Sequence, residues 1–239
     1  MQSCNHIITF TADEKKQITR LEPTASGKIS IVPCGVNFEQ FKPMDKNAAR
    51  YTLDLPCKIP VLIFVGRSVP IKGLTRLLNA MKLLKKTMSV KLIVVGGSDI
   101  ASPDALPLKI QINRLGIADC VKTVGTIDHQ KLAVYYSAAD ATIVPSFHES
   151  FCLVALESLA CGTPVIGSAV GGLPQIMLPG MGKVLDETNT ESLAHAIKAL
   201  IFNQQERLPR EQLRSKIAAY TWQQTAEKLI AVYKKILVS

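Results

Sequence analysis

Two cations and two acids stand where this sequence turns out of apolar runs. Arg67 and Lys72 follow the run VLIFVG (61–66), and Glu149 and Glu157 bracket the stretch SFCLVAL (150–156). Arg67 is a planar fork and Lys72 a mobile point charge. Two such cations at a strand end suit a diphosphate and would stabilise negative charge growing on a departing one. The competing reading is a pair of surface cations in a solvated loop. A helix is expected over 150–161, and its first amides, on Ser150, Phe151, Cys152 and Leu153, carry the positive helix end, which suits an anion. Glu149 would repel a phosphate there, so it should face sugar hydroxyls. Glu157 is expected six residues in, about 9 Å of rise. That is of the order of a pyrophosphate linker plus a sugar ring, so each acid could hold one end of a nucleotide-sugar. A structural ion pair is the other reading of Glu157, because a lone carboxylate on an apolar helix is costly.

The elements that must place these residues alternate. His6–Phe10 reads as a strand, followed by a polar helix with Thr11 or Asp13 as its cap. Ile29, Ile31 and Val32 form a second short strand. Phe38 and Phe41 sit at helical spacing before Pro43, and a short helix is expected over 47–53. VLIFVG has the β-branched and aromatic content of a strand buried on both faces. A helix with Leu74, Leu77, Leu78, Met81 and Leu84 on one face follows. Further strands are expected at 91–97, 120–125, 141–145, 164–168 and 182–185. Helices are expected at 104–115, 128–140, 190–201 and 222–237. This alternation predicts an α/β fold with a Rossmann-like, doubly wound parallel sheet. Ligands of such sheets lie outside the strand carboxyl ends, which brings together the segments 66–73, 125–129 and 145–153. His148 reads as a loop histidine and Asp140 as a helix-end or turn residue. Gly171-Gly172 allows either a close backbone approach or a turn.

Composition removes several function classes. No apolar run reaches the ~18 residues of a membrane span. The six cysteines, at 4, 34, 57, 120, 152 and 161, lack metal spacing and read as reduced thiols of a cytoplasmic protein. No metal site is expected from the four single histidines. The net charge of +9 admits nucleic acid, an anionic membrane surface or phosphorylated small molecules as partners. With 5% aromatic residues and no aromatic-studded basic strand, nucleic acid is set aside; peripheral membrane association stays open. The basic runs at 82–91 and 207–216 read as solvated helix faces. No GxGxxG or GxxxxGK[ST] follows a strand, which argues against a dinucleotide oxidoreductase or a Walker site.

In order and spacing, the segments ITFTADEKKQI, VPCGVNFEQFKP, FVGRSVPIKGLTRLL, LIVVGG, VKTVGTIDHQKLAVYYSAADATIVPS and HESFCLVALESLACGTPVIGSAVGGLPQI, with the Trp-containing last helix, resemble the nucleotide-sugar glycosyltransferases of family four (glycosyl transferases group one). The resemblance covers the carboxyl-terminal, donor-binding half of the GT-B fold. It implies that Arg67 and Lys72 grip the donor diphosphate and aid its departure. Glu149 would hold the transferred sugar and Glu157 the ribose. Ser150, Phe151, Cys152 and Leu153 would meet phosphate and sugar through the backbone, and Ile127 would line the base pocket. Transfer would retain anomeric configuration without a bound metal, and no cofactor is implied beyond the nucleotide-diphosphate sugar itself.

The resemblance further implies three parts. Residues 1–43 would be a remnant of the inter-domain segment and linker, and 44–220 the nucleotide-sugar-binding domain. Residues 221–239 would be a helix crossing back to an amino-terminal acceptor domain, carried by a longer chain or by a separate subunit. Cys152 stands where the family usually has Gly, Asn37 where Asp is usual and Gln175 where Glu is usual. Cys152 is expected to crowd the phosphate approach, and Gln175 removes a charge beside the sugar loop. The alternative function is a non-catalytic nucleotide-sugar-binding or regulatory module.

Overall fold

The computed structural model describes residues 4–97, 105–203 and 207–238. At its start β1 (Ile7–Thr9) and β2 (Ile29–Ile31) pair in parallel, joined through α1 (Ala12–Leu21). Thr11 Oγ1 accepts from the Glu14 N–H at 3.0 Å, and the Glu14 carboxylate accepts from the Phe10 N–H at 2.7 Å. Thr11 thus caps α1, and Glu14 ties the residue before the cap to the first turn, which fixes where the helix begins.

The helical turn expected at Phe38 and Phe41 forms as a single turn, in which the Phe41 N–H donates to Asn37 O at 2.9 Å. Asn37 Oδ1 caps it, accepting from the N–H groups of Glu39 (3.0 Å) and Gln40 (3.2 Å). An aspartate would supply the same acceptor, so Asn37 leaves the turn intact.

The main sheet follows α2 (Lys46–Thr52). Its strands are β3 (Val61–Val65), β4 (Lys91–Val95), β5 (Val121–Gly125), β6 (Ala141–Val144), β7 (Val165–Ser168) and β8 (Gly182–Leu185). All pair in parallel in the order β5-β4-β3-β6-β7-β8. The direction of winding reverses between β3 and β6.

Helices cover both faces. On one lie α3 (Leu74–Lys85), α4 (Leu106–Leu115) and α8 (Thr190–Phe202), packed on Leu62, Phe64, Leu92 and Val94. On the other lie α5 (Leu132–Ala138), α6 (Leu153–Ala160) and α9 (Arg210–Lys216), packed on Val61, Ile63, Ile93 and Val95. Alternate residues of β3 therefore enter opposite cores, as a strand's two-residue period demands. Leu74, Leu77, Leu78, Met81 and Leu84 are all buried, the face expected for α3. A one-turn helix, α7 (Leu173–Ile176), follows β7. The Pro-containing loop expected after Gly97 and the first residue of the helix expected from 104 lie outside the described residues.

In the basic run 207–216 Lys216 is exposed as expected, but Arg210 and Arg214 are half-buried and bonded to the protein. Arg210 donates to the carbonyls of Met44 (2.8 Å) and Cys161 (3.0 Å), and Arg214 to those of Phe38 (2.8 Å) and Ala160 (3.1 Å). Ala160 and Cys161 end α6, whose last carbonyls have no intrahelical donor and carry partial negative charge. The two guanidiniums supply donors there and tie the 37–44 segment to the same helix end.

The last helix, α10 (Trp222–Val238), starts against the segment after β2. The Val36 N–H donates to Tyr220 O at 2.9 Å and Thr225 Oγ1 to Pro33 O at 2.9 Å. A Cβ on Gly35 would come within 2.3 Å of Trp222 N, so only glycine permits this approach. Lys235 and Ile236 line a cavity with Asn5, His6 and Lys28, so α10 runs back beside the small sheet. Among the described residues no helix is long and apolar enough to cross a membrane.

Candidate functional site

The loops leaving β3 and β6 meet at the reversal of winding, where open α/β sheets bind their ligands. Lys72 ends a short turn (Pro70–Lys72) after β3, and Glu149 lies in the loop after β6. Lys72 Nζ donates to both Glu149 oxygens, at 2.8 and 2.9 Å, and Ser146 Oγ donates to Oε1 at 2.7 Å. The cation and acid expected from sequence to face separate parts of a ligand are thus partners here. Lys72 is half-buried, so part of its charge remains open to solvent. Arg67 is exposed and lines a cavity of about 430 Å³ with Ser68, Gly96, Gly97 and Thr126, at the carboxyl ends of β3, β4 and β5. Thr126 rather than Ile127 lines that cavity; Ile127 is half-buried and packs against the core. A larger cavity, about 780 Å³ between β8 and α8, sits at the far edge of the sheet. It has no part in this convergence.

Backbone contacts fasten the loop after β6 on both sides. A Cβ on Gly73 would lie 1.9 Å from Pro145 O, and one on Gly171 would lie 1.9 Å from Glu149 O. The Phe147 N–H donates to Ile71 O and the Gly172 N–H to Ser150 O, each at 2.8 Å. Gly171-Gly172 therefore makes a close backbone approach to the loop that carries Glu149. Arg76, which the sequence did not single out, stacks 3.9 Å over the Phe147 ring and donates to Pro145 O. Phe151 is buried between Phe10, with ring centroids 6.5 Å apart, and Tyr220 at 5.9 Å. His148 is exposed in the same loop.

The helix after this loop begins later than its apolar pattern implies. α6 starts at Leu153, so its open first-turn amides run from Leu153 onward rather than from Ser150. Cys152 is the reason. It takes the left-handed conformation, φ 74° and ψ 62°, which a helix cannot continue through. Glu157 consequently lies about 6 Å of rise from the helix start.

The family's usual glycine at 152 is the one sequence signal for this conformation. The Cys152 side chain is 5% exposed and packed in the core, and burial with Glu149 nearby pushes its thiol up to about 12. Cys152→Gly is expected to be more stable than Cys152→Ala by about 1 kcal/mol, the reverse of the usual order of these residues. Urea denaturation of the two variants measures this. An alanine variant at least as stable as the glycine one would refute the strain.

Glu157 is 7% exposed and takes two hydrogen bonds: Tyr136 Oη donates to Oε2 and His129 Nε2 pairs with Oε1, both at 2.8 Å. Burial raises its pKa above the ordinary carboxylate range, against the opposing pull of the His129 and Tyr136 bonds. Burial and the neighbouring Glu157 raise the Tyr136 hydroxyl well above its usual value, so it remains a donor. Neither partner was legible in the sequence, since they lie 28 and 21 residues from Glu157.

Asp140 is a structural tie, in keeping with its sequence reading. It accepts from Lys46 Nζ (2.9 Å), Arg50 Nη2 (2.6 Å) and the Val61 N–H (2.7 Å). Among the described residues no group of three or more His, Cys, Asp or Glu is placed to hold a metal.

Comparison with known proteins places this geometry. The family profile "Glycosyl transferases group 1" matches residues 45–224. A D-inositol 3-phosphate glycosyltransferase of Mycobacterium tuberculosis is 36% identical over 249 aligned residues, taking in 99% of this chain and 50% of that protein. Thus the chain spans about half the length of the curated relatives it matches. Sucrose-phosphate synthase from Thermosynechococcus elongatus superposes with a TM-score of 0.83 at 33% identity, over 97% of this chain and 58% of that one. Anabaena HepE, solved in complex with UDP-glucose, superposes with a TM-score of 0.81 at 21% identity, over 95% of this chain and 64% of that one. Both the sheet order and the profile match agree with the carboxyl-terminal half of a GT-B fold, and the chain belongs to the group 1 glycosyl transferases.

Proposed function

We propose that this chain binds a nucleotide-diphosphate sugar at the β3/β6 reversal and supplies the donor half of a retaining, metal-independent hexosyl transfer. The observation that carries the reading is the Lys72–Glu149 pair, which sets a cation and a sugar-hydroxyl acceptor side by side at that edge. Arg67, on the same loop after β3 and lining the cavity at the ends of β3, β4 and β5, joins Lys72 on the diphosphate. During transfer the bond from the anomeric carbon to the diphosphate breaks and its electron pair stays on the diphosphate. The two cations stabilise that growing charge in a fixed geometry. Glu149, held by Ser146 and Lys72, orients the sugar hydroxyls, and Glu157 accepts from the ribose. A second domain, matching the part of its relatives that this chain does not span, provides the acceptor.

Titration calorimetry of the chain with UDP, GDP and ADP tests the reading. At least one should bind, and a folded sample that binds none would overturn it. Arg67→Ala should weaken the bound nucleoside diphosphate about 10- to 100-fold, the range for a lost charge-assisted contact. The matching nucleoside should be almost unaffected. Equal losses for both would remove the diphosphate from Arg67.

A further inference from the structure

His129 lies outside the diphosphate cradle, yet its contacts run straight to Glu157. Nε2 pairs with Glu157 Oε1 at 2.8 Å, while Nδ1 lies 3.2 Å from the Gln40 amide nitrogen, which also donates to the His129 carbonyl at 3.1 Å. An amide nitrogen only donates, so Nδ1 is the acceptor of that pair and the imidazole proton sits on Nε2, donating to Glu157. Gln40 is itself held. Its N–H and that of Glu39 bond to Asn37 Oδ1, and Arg214 donates to the carbonyls of Phe38 and Phe41 at either side of it. The Phe41 ring meets the imidazole edge-on, with centroids 5.1 Å apart. The imidazole is thus fixed in orientation and tautomer by a turn that lies more than eighty residues away in sequence.

We propose that Gln40 and His129 are positioning residues for Glu157, setting its carboxylate to accept both hydroxyls of a ribose cis-diol. This rests on the reading of Glu157 as the ribose acceptor. A carboxylate offers about four lone-pair sites and its terminal torsion is broad. Tyr136 on Oε2 and His129 on Oε1 occupy one site on each oxygen and fix the carboxylate plane. One site on each oxygen is left, which matches the two donors of a cis-diol. Of the two holding groups, Tyr136 is fully buried and the His129 side chain is 60% exposed. His129 is therefore the partner on the solvent side, from which a ligand arrives.

Calorimetry of the full chain with UDP, GDP and ADP, each beside its 2′,3′-dideoxy counterpart, tests this. The wild-type chain should favour the ribonucleotide. His129→Ala should cut that preference about tenfold, a hydrogen bond to a charged group being at stake, and leave dideoxynucleotide affinity unchanged. His129→Gln, which keeps an N–H donor of similar reach, should restore most of the preference. Nitrogen NMR of the imidazole should show the Nε2–H tautomer in the wild type and a mixture in Gln40→Leu. Unchanged or tighter ribonucleotide binding by His129→Ala would overturn the proposal, as would equal losses with both ligand series. A wild-type chain that binds nucleotides without ribose preference would remove Glu157 from the ribose, and the proposal with it. Absence of all binding would instead sink the donor-site reading on which it stands.

Discussion

Asp140→Ala is expected to destabilise the fold by about 3 kcal/mol or more, with urea denaturation at neutral pH as the measurement. The carboxylate is the hub between α2 and the start of β3, accepting from Lys46, Arg50 and the Val61 N–H. Arg50 is 3% exposed and keeps its carbonyl acceptors at Ala138 and Cys57 in the variant, but loses the carboxylate that stands 2.6 Å from its Nη2. Removing one partner of a buried pair strands the other charge, which costs about 3–5 kcal/mol. Losing the acceptor also leaves the Val61 N–H unpaired at the mouth of a buried strand. A loss below about 1 kcal/mol would show that the tie contributes little. Burial alone would raise the Asp140 pKa, but Lys46, the Val61 N–H and Arg50 together hold it below the ordinary carboxylate range. Its native pKa therefore lies below its unfolded one. The contribution is whole above about pH 4 and is lost as pH falls through the native value.

Gly171→Ala should leave a folded protein with a damaged site. Gly171 has φ +57°, and an added Cβ would lie 1.9 Å from Glu149 O and 2.6 Å from Ser150 O. The conformational cost alone is about 1 kcal/mol, but the contact is with backbone, so the chain must part there. That breaks the Gly172 to Ser150 hydrogen bond and carries Glu149 away from Lys72. We expect a total loss of about 2–3 kcal/mol in stability and at least about tenfold in nucleoside-diphosphate affinity, since displacements near 1 Å are costly at positioned groups. Gly116→Ala is the control: φ is +66° with nothing within 4 Å of the new Cβ. It should show the conformational cost without a change in affinity. Equal affinities for the wild type and Gly171→Ala would uncouple this contact from the site.

What the sequence revealed depended on how local the cause was. VLIFV, KLIVV and ATIV read as buried parallel strands because their composition alone demands it. From that alternation the sheet and the convergence of the 66–73 and 145–153 loops followed. The start of α6 was misplaced because its apolar run begins at Phe151, whereas the helix begins only after the left-handed Cys152. Arg210 and Arg214 looked like surface charge because their acceptors are carbonyls at the end of another helix. Gln40, His129, Tyr136 and Glu157 are scattered over more than a hundred residues, and no spacing rule joins them. That Arg67, Lys72 and Glu149 stand in the loops after β3 and β6 was legible; the pairing of Lys72 with Glu149 was not.

The loop from Pro145 to Phe151 touches its neighbours on both sides through backbone atoms, at Gly73, Gly171 and Gly172, and through two main-chain hydrogen bonds. Such joints are indifferent to side-chain identity. Residues that would face a sugar or a base can therefore change one at a time while the spacing of the three loops persists. An insertion or deletion has no such freedom, because it would shift carbonyls that already stand at van der Waals limits. Diversification of donor preference in chains with this edge should run through substitution at fixed loop length, and that expectation can be read from the lengths of these three loops in any set of relatives.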